Sequence, residues 1–245
     1  KLRFSFSNIA GHRYLAYASF AFQADAFREH NYFSVKLVNL LLHSFSTIFV
    51  FLFCFYLQKT LTPFSNARQD QHLLLALTCA AIWFAHPVHV NTVLYTVQRM
   101  TILSGMLTLS GLSVAAFYFS RSQQKNWFSQ LGFIAVIYTL AALAILSKGT
   151  GILLFAFALL LIAFSRKNFD TINKKLVSIA FCLPITVLIF YLFQSNQLSF
   201  GHRDYTMAER LYTQPEILLA YANKILLNKE TMANNEFRDL NTEDL

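Results

Sequence analysis

The chain has 245 residues, of which 56% are apolar, 16% aromatic and only 13% charged. That charged share is about half of the roughly 25% usual in soluble domains, too little to give a domain of this size a hydrated skin. The composition excludes a disordered chain, a disulfide-stapled secreted module and a typical nucleic-acid binder, and it predicts an all-α, polytopic transmembrane helical bundle despite a net charge of +8.

In chain order, residues 1–32 read as an aromatic-rich interfacial loop with short helices, containing Arg13, Asp25, Arg28 and Glu29. No charged n-region followed by an apolar h-region is visible there, so no signal peptide is expected in these residues and the true N-terminus is expected upstream. Six apolar runs follow, at 33–57, 72–85, 100–119, 128–146, 150–164 and 176–194. A bilayer core of roughly 30 Å takes about 20 helical residues, so 72–85 and 150–164 are short and the others ample. One helix over 128–164 would be about 55 Å long at 1.5 Å per residue, so it must break. Ser147-Lys148-Gly149-Thr150-Gly151 is the predicted break, and Pro184 is the predicted kink in the sixth run. Thr213-Gln214-Pro215-Glu216 is a capping-box pattern that starts an outer-face helix within 195–228. The tail 229–245 reads as polar and acidic, a linker or disordered segment. Cys54, Cys79 and Cys182 all lie in apolar runs and read as structural thiols.

The basic residues set the expected orientation. Eight of the 20 sit in three loops: Lys59 and Arg68; Arg121 and Lys125; and Arg166, Lys167, Lys174 and Lys175. The intervening loops hold only Arg99 and Lys148. The positive-inside rule puts the three basic loops in the cytoplasm and leaves 1–32, 86–99, 147–151 and 195–245 on the outer face.

Polar groups at membrane depth are costly and mark function or buried pairing, which singles out these outer segments. After Pro87, the residues His89, Thr92, Thr96 and Arg99 form a polar stripe, with Val90, Val93, Leu94 and Val97 opposite. This spacing predicts one amphipathic helix lying along the interface. His86 and His89 are too few for a closed metal site, so no metal ligand set is assigned. Arg99 is a natural phosphate fork. Lys148, at a tight glycine-rich turn beside a helix start, is suited either to anion binding or to snorkelling. His202, Arg203, Asp204, Glu209 and Arg210 form a further polar approach.

These residues carry a resemblance. His86-Pro87-Val88-His89 with Arg99 resembles the HPVH…R signature of the transmembrane and tetratricopeptide-repeat O-mannosyltransferases and their bacterial polytopic relatives. Asn39-Leu40-Leu41-Leu42-His43 is similar to their N-L-L-L-H stretch, and Ser147-Lys148 to their S-K-E turn. Arg13 with Tyr17, Ser19 and Phe20 is similar to the end of their first large outer loop. Glu209-Arg210-Leu211-Tyr212-Thr213-Gln214 is similar to their E-R-L-x-T-Q segment. The five motifs run in order from about residue 11 to 228.

The resemblance implies a GT-C-like bundle of about six spans, 33–194, with interfacial helices outside. It implies a glycosyltransferase that moves a sugar from a polyprenyl-phosphate donor to an acceptor hydroxyl, in protein O-glycosylation. The main catalytic base would lie upstream of residue 1, with Asp25 the acidic candidate within the chain. Arg99, Lys148, His86, His89, Arg13 and Arg203 would contact the lipid phosphate or the acceptor. The implied location is a bacterial inner membrane with the active face periplasmic. The implied partners are the lipid-linked sugar, an acceptor protein or glycan, and membrane lipid, with no nucleic acid. A divalent cation bridging the phosphate is left open. Two positions depart from the pattern: Gly149 replaces the family's Glu, and His89-Val90-Asn91 lacks the acid found after the second His. These departures motivate a second reading, a non-catalytic lipid-carrier-binding or assembly subunit. A transporter ranks behind both.

Overall fold

A computed structural model describes residues 13–27, 32–61, 69–121, 127–165, 171–194, 209 and 212–220. All secondary structure among them is helical. Eight α-helices follow in order: α1 Tyr14–Phe27, α2 Tyr32–Leu61, α3 Gln69–Ala85, α4 His89–Leu94, α5 Arg99–Ser120, α6 Trp127–Ser147, α7 Leu153–Phe164 and α8 Thr171–Gln194. Short 3-10 turns at Thr96–Gln98 and Gly149–Ile152 lead into α5 and α7. Among the described residues, three helical stretches are long and apolar enough to cross a membrane: Tyr32–Leu61, Thr96–Ser120 and Trp127–Ser147. The segments Gly149–Phe164 and Lys175–Phe190 are shorter apolar helices.

The chain divides into two compact units, 1–187 and 188–245. In the second, a helical stretch at 212–220 takes in the predicted capping box. Apart from residue 209, the rest of 195–228, including Arg203, and all of 229–245 lie outside the described residues, as do 1–12 and 28–31 of the 1–32 loop.

The first unit is built around α5. Side-chain bonds fix the run of the helices. Near one end, Arg99 of α5 meets Asn39 of α2. Near the other, Thr60 Oγ1 of α2 donates to the Ala116 carbonyl of α5 at 3.1 Å. The two helices therefore run parallel. α3 returns antiparallel: His72 Nδ1 lies 2.8 Å from Gln58 Oε1 at its start, and His43 Nε2 lies 3.3 Å from the Phe84 carbonyl at its end. α6 also returns, because Lys148 just after it reaches Thr101 near the start of α5. Loops 86–99 and 147–151 thus share one end, and the C-terminal ends of α2 and α5 lie at the other.

Packing is tight where side chains are small. Ala115, Ala116, Ala141, Ala144 and Ala158 are fully buried, which lets α5, α6 and α7 approach closely. Phe119, Phe133, Phe155 and Phe181 fill the remaining core among α5, α6, α7 and α8. In a membrane this close packing drives helix association, because lipid tails are as apolar as leucine. Hydroxyls add to it: Ser113 Oγ donates across to the Phe49 carbonyl at 2.8 Å. Such interhelical bonds contribute about 0.6 kcal/mol each. The outward faces carry large apolar side chains, among them Leu74, Ile179, Leu183 and Phe190, in keeping with a lipid-facing surface.

The expected break near residue 147 is present. Lys148 is extended, with φ −160° and ψ 137°, between α6 and the following 3-10 turn. Gly151 then packs on the backbone of α6. A Cβ added there would stand 2.4 Å from the Ala144 carbonyl carbon, so only glycine fits. Pro184 lies inside α8 as expected. At Gly111 an added Cβ would meet the tips of Leu154 at 2.6 and 2.8 Å. Leu154 is flexible but fully buried. Gly111→Ala is therefore expected to destabilise the bundle by about 1–2 kcal/mol, read from thermal unfolding in detergent.

Candidate functional site

The segment 83–99 is held down by two side chains of α2. Asn39 and His43 are four residues apart, so they lie on one helix face, and both are buried. Asn39 Nδ2 donates to the carbonyls of Val93 at 3.2 Å and Tyr95 at 3.4 Å. Its Oδ1 accepts from Arg99 Nε at 2.9 Å. One amide thus satisfies three groups of a segment more than 50 residues away.

This explains a departure from the sequence pattern. The stripe His89, Thr92, Thr96 and Arg99 does not lie on one continuous helix. α4 ends at Leu94, and Tyr95 is extended with φ −82° and ψ 115°. The Val93 carbonyl, which would accept from Val97 in a continuing helix, is held by Asn39, while the Tyr95 carbonyl accepts both from Asn39 and from the Gln98 N–H at 3.0 Å in the 3-10 turn. The stripe still faces inward. His89, Thr92 and Thr96 are half-buried and Arg99 is fully buried, while Val90, Leu94 and Val97 are exposed.

Arg99 requires the largest correction. Its guanidinium is not an open phosphate fork. Besides the bond to Asn39, it donates to Gln23 Oε1, to the Val35 carbonyl at 3.2 Å and to the Ser19 carbonyl at 3.5 Å. It also stacks over the Phe20 ring, with its carbon 4.1 Å from the ring centroid. Four donors are engaged, and no carboxylate among the described residues pairs with it. Arg99 therefore ties α1, α2 and α5 together and positions the site from behind.

The histidines gather next to this clamp. His89 lies against the Trp83 ring at 4.4 Å and the His43 ring at 4.9 Å, with His86 at 6.3 Å. His86 Nδ1 accepts the Val88 N–H at 3.2 Å, which fixes the turn after Pro87. Among the described residues no group of three or more His, Cys, Asp or Glu could hold a metal ion. Burial pushes the His89 pKa down, and the neighbouring His43 and His86 push it the same way. The folded state therefore binds a proton at His89 less readily than the unfolded chain. Its contribution to stability is present above the usual histidine value and is lost as pH falls below it through the lowered folded value. Thermal stability in detergent is expected to drop between pH 7.5 and 5.5, and His89→Gln is expected to flatten that dependence.

Lys148 is half-buried, and its Nζ donates to Thr101 Oγ1 at 3.0 Å. Thr101 in turn donates to Gln98 Oε1 at 2.7 Å. The ammonium is thus steered to the start of α5, two residues beyond the Arg99 clamp, with donors left for an anion. Arg13 stands exposed just before α1. Asp25 falls on α1, with its side chain outside the described residues, so the structure brings together Arg13, His86, His89, Arg99 and Lys148 but does not bear on Asp25 or Arg203.

Sequence reasoning passed over Asn39 as a bonding centre, and Gln23, Trp83 and Thr101 altogether. A signal existed for Asn39: with His43 it is a polar i, i+4 pair inside an apolar span. The chain matches no family model, no curated protein and no solved structure.

Proposed function

We propose that this chain is the membrane-embedded part of a GT-C-like glycosyltransferase, a bundle of about six spans. It would move a sugar from a polyprenyl-phosphate donor to an acceptor hydroxyl on the outer face. The observation that carries this reading is the convergence at one end of the bundle. Four motifs scattered from Arg13 to Lys148 meet there, through Arg99 with Asn39 and Ser19, His89 with His43, and Lys148 with Thr101.

The chemistry follows from these groups. The acceptor oxygen attacks the anomeric carbon as the bond from that carbon to the phosphate oxygen breaks. The acceptor proton passes to a carboxylate acting as general base. That base is expected from the first outer loop, upstream of Lys1, with Asp25 the acidic candidate within the chain. The polyprenyl phosphate leaves with both bonding electrons. Lys148 and Arg13 stabilise its charge. His86 and His89 orient the acceptor. Arg99 acts through Asn39 and Gln23 as a positioning residue.

The test is transfer of labelled sugar from a polyprenyl-phosphate donor to acceptor in membranes holding the full-length protein. Lys148→Gln is expected to lower the rate about 100-fold, the scale for losing one preorganised donor to a developing anion. Unchanged transfer would remove Lys148 from the site. Gly149 in place of an acid and the absence of an acid at Asn91 favour a second reading, a lipid-carrier-binding subunit without transferase activity. In that case the donor binds but no sugar moves, with wild-type protein as with the variant.

A further inference from the structure

Proline has no amide hydrogen, so inside a helix it leaves the carbonyl four residues earlier without its donor and presses its ring against that carbonyl. In α8 the proline is Pro184, and the carbonyl is that of Ala180. This carbonyl is not left bare. The Tyr138 hydroxyl of α6 donates to it at 2.5 Å. The Tyr138 ring lies edge-on to Phe155, with 5.0 Å between centroids, and Phe155 in turn packs on Phe181, next to Ala180. The phenol is thereby aimed at the turn of α8 that lacks a donor.

The proline also divides α8 by its packing. Before it, Val177 and Phe181 are buried in the core, at 3% and 0% exposure. After it, none of the described residues 185–190 is buried, and Val187 and Phe190 are 59% and 64% exposed. The first compact unit ends at Val187, three residues past the proline. Between them, Thr186 Oγ1 bonds back to the Leu183 carbonyl at 2.8 Å, a type of contact that bends helices. We infer that Pro184 is a hinge in α8 and that Tyr138 is its latch. The hydroxyl stands in for the missing amide and holds the bend. When this bond opens, the turn 185–188 loosens while the half of α8 before Pro184 stays docked. The chain beyond Val187 can then change direction without unpacking the core. The device is independent of any glycosyltransferase chemistry.

The experiment is amide hydrogen exchange, read by mass spectrometry on the purified full-length protein in detergent. Wild-type protein is expected to exchange faster across 185–190 than across 175–181. Tyr138→Phe keeps the ring and removes only the hydroxyl. It is expected to speed exchange across 185–190 about threefold, the fold-change for one average interhelical hydrogen bond in a membrane protein, and to leave 175–181 unchanged. Pro184→Ala restores the amide, so the Ala180 carbonyl regains a donor within its own helix. This variant is expected to slow exchange across 185–190, and adding Tyr138→Phe to it is expected to have no further effect. Unchanged exchange in Tyr138→Phe overturns the latch. So does an equal threefold rise in the Pro184→Ala background, because the hydroxyl would then act independently of the proline. A rise across 175–181 together with 185–190 would show that Tyr138 holds the whole helix down, which also overturns it. Uniform exchange along wild-type α8 overturns the hinge.

Discussion

Arg99→Met is expected to destabilise the protein by about 3 kcal/mol, a large fraction of the stability of most domains. The side chains are similar in length, so little volume is lost. What is lost is the donor set. The Asn39 and Gln23 side-chain oxygens and the Ser19 and Val35 carbonyls would all remain, in a region where Arg99, Asn39 and Gln23 are buried. The two carbonyls keep their intrahelical bonds, so the stranded acceptors are the Asn39 and Gln23 side-chain oxygens, each costing about 1–3 kcal/mol in a protein interior and less where the membrane-embedded chain finds other partners. Arg99→Lys is not expected to rescue the variant, because an ammonium cannot span acceptors arranged around a planar fork. Asn39→Leu breaks the same network from the other side. The double variant Asn39→Leu with Arg99→Met is therefore expected to lose less than the sum of the single losses. Thermal unfolding in detergent measures all four proteins. A loss under 1 kcal/mol for Arg99→Met would show that the clamp does not hold the loop.

Gly151→Ala is expected to be nearly as damaging, at about 2–3 kcal/mol. The new methyl would stand 2.4 Å from the Ala144 carbonyl carbon and 2.6 Å from the Ile145 nitrogen. Both are helix backbone atoms, so the strain cannot be relieved by a rotamer change. The turn would have to move away from α6, carrying Lys148 off Thr101. Gly149→Ala supplies the contrast, since nothing lies within 4 Å of an added Cβ there. That substitution is expected to change stability by less than about 0.5 kcal/mol. Equal losses at the two glycines would show that the turn does not pack as described.

Much of the fold is legible in the chain because a bilayer restricts the choices. Apolar length predicts helices at 33–57 and 128–146, and they are found at Tyr32–Leu61 and Trp127–Ser147. Helix length alone requires the break that Lys148 supplies. The site was less legible, because its decisive contacts are long-range. The stripe from His89 to Arg99 carries a helical period, yet Asn39, more than 50 residues earlier, captures the Val93 carbonyl that would continue the helix. Arg99 likewise reads as a phosphate ligand from its residue type and place. Only the positions of Gln23, Ser19 and Val35 reveal that its donors are engaged within the protein. Lys148 bonds to Thr101 on the adjoining helix, a neighbour that its local turn does not reveal.

The central claim is that the polar residues of 86–99 and 147–151 meet at the outer membrane face, opposite the basic loops. Sided labelling tests it most directly. Single cysteines are placed at Val88, Thr150 and Arg121 in the full-length protein, with Cys54, Cys79 and Cys182 replaced by serine. Intact cells are then treated with a membrane-impermeant maleimide. The cysteines at Val88 and Thr150 are expected to label at once, and the one at Arg121 only after permeabilisation. Labelling of Arg121Cys in intact cells, with Val88Cys and Thr150Cys protected, would contradict the claim.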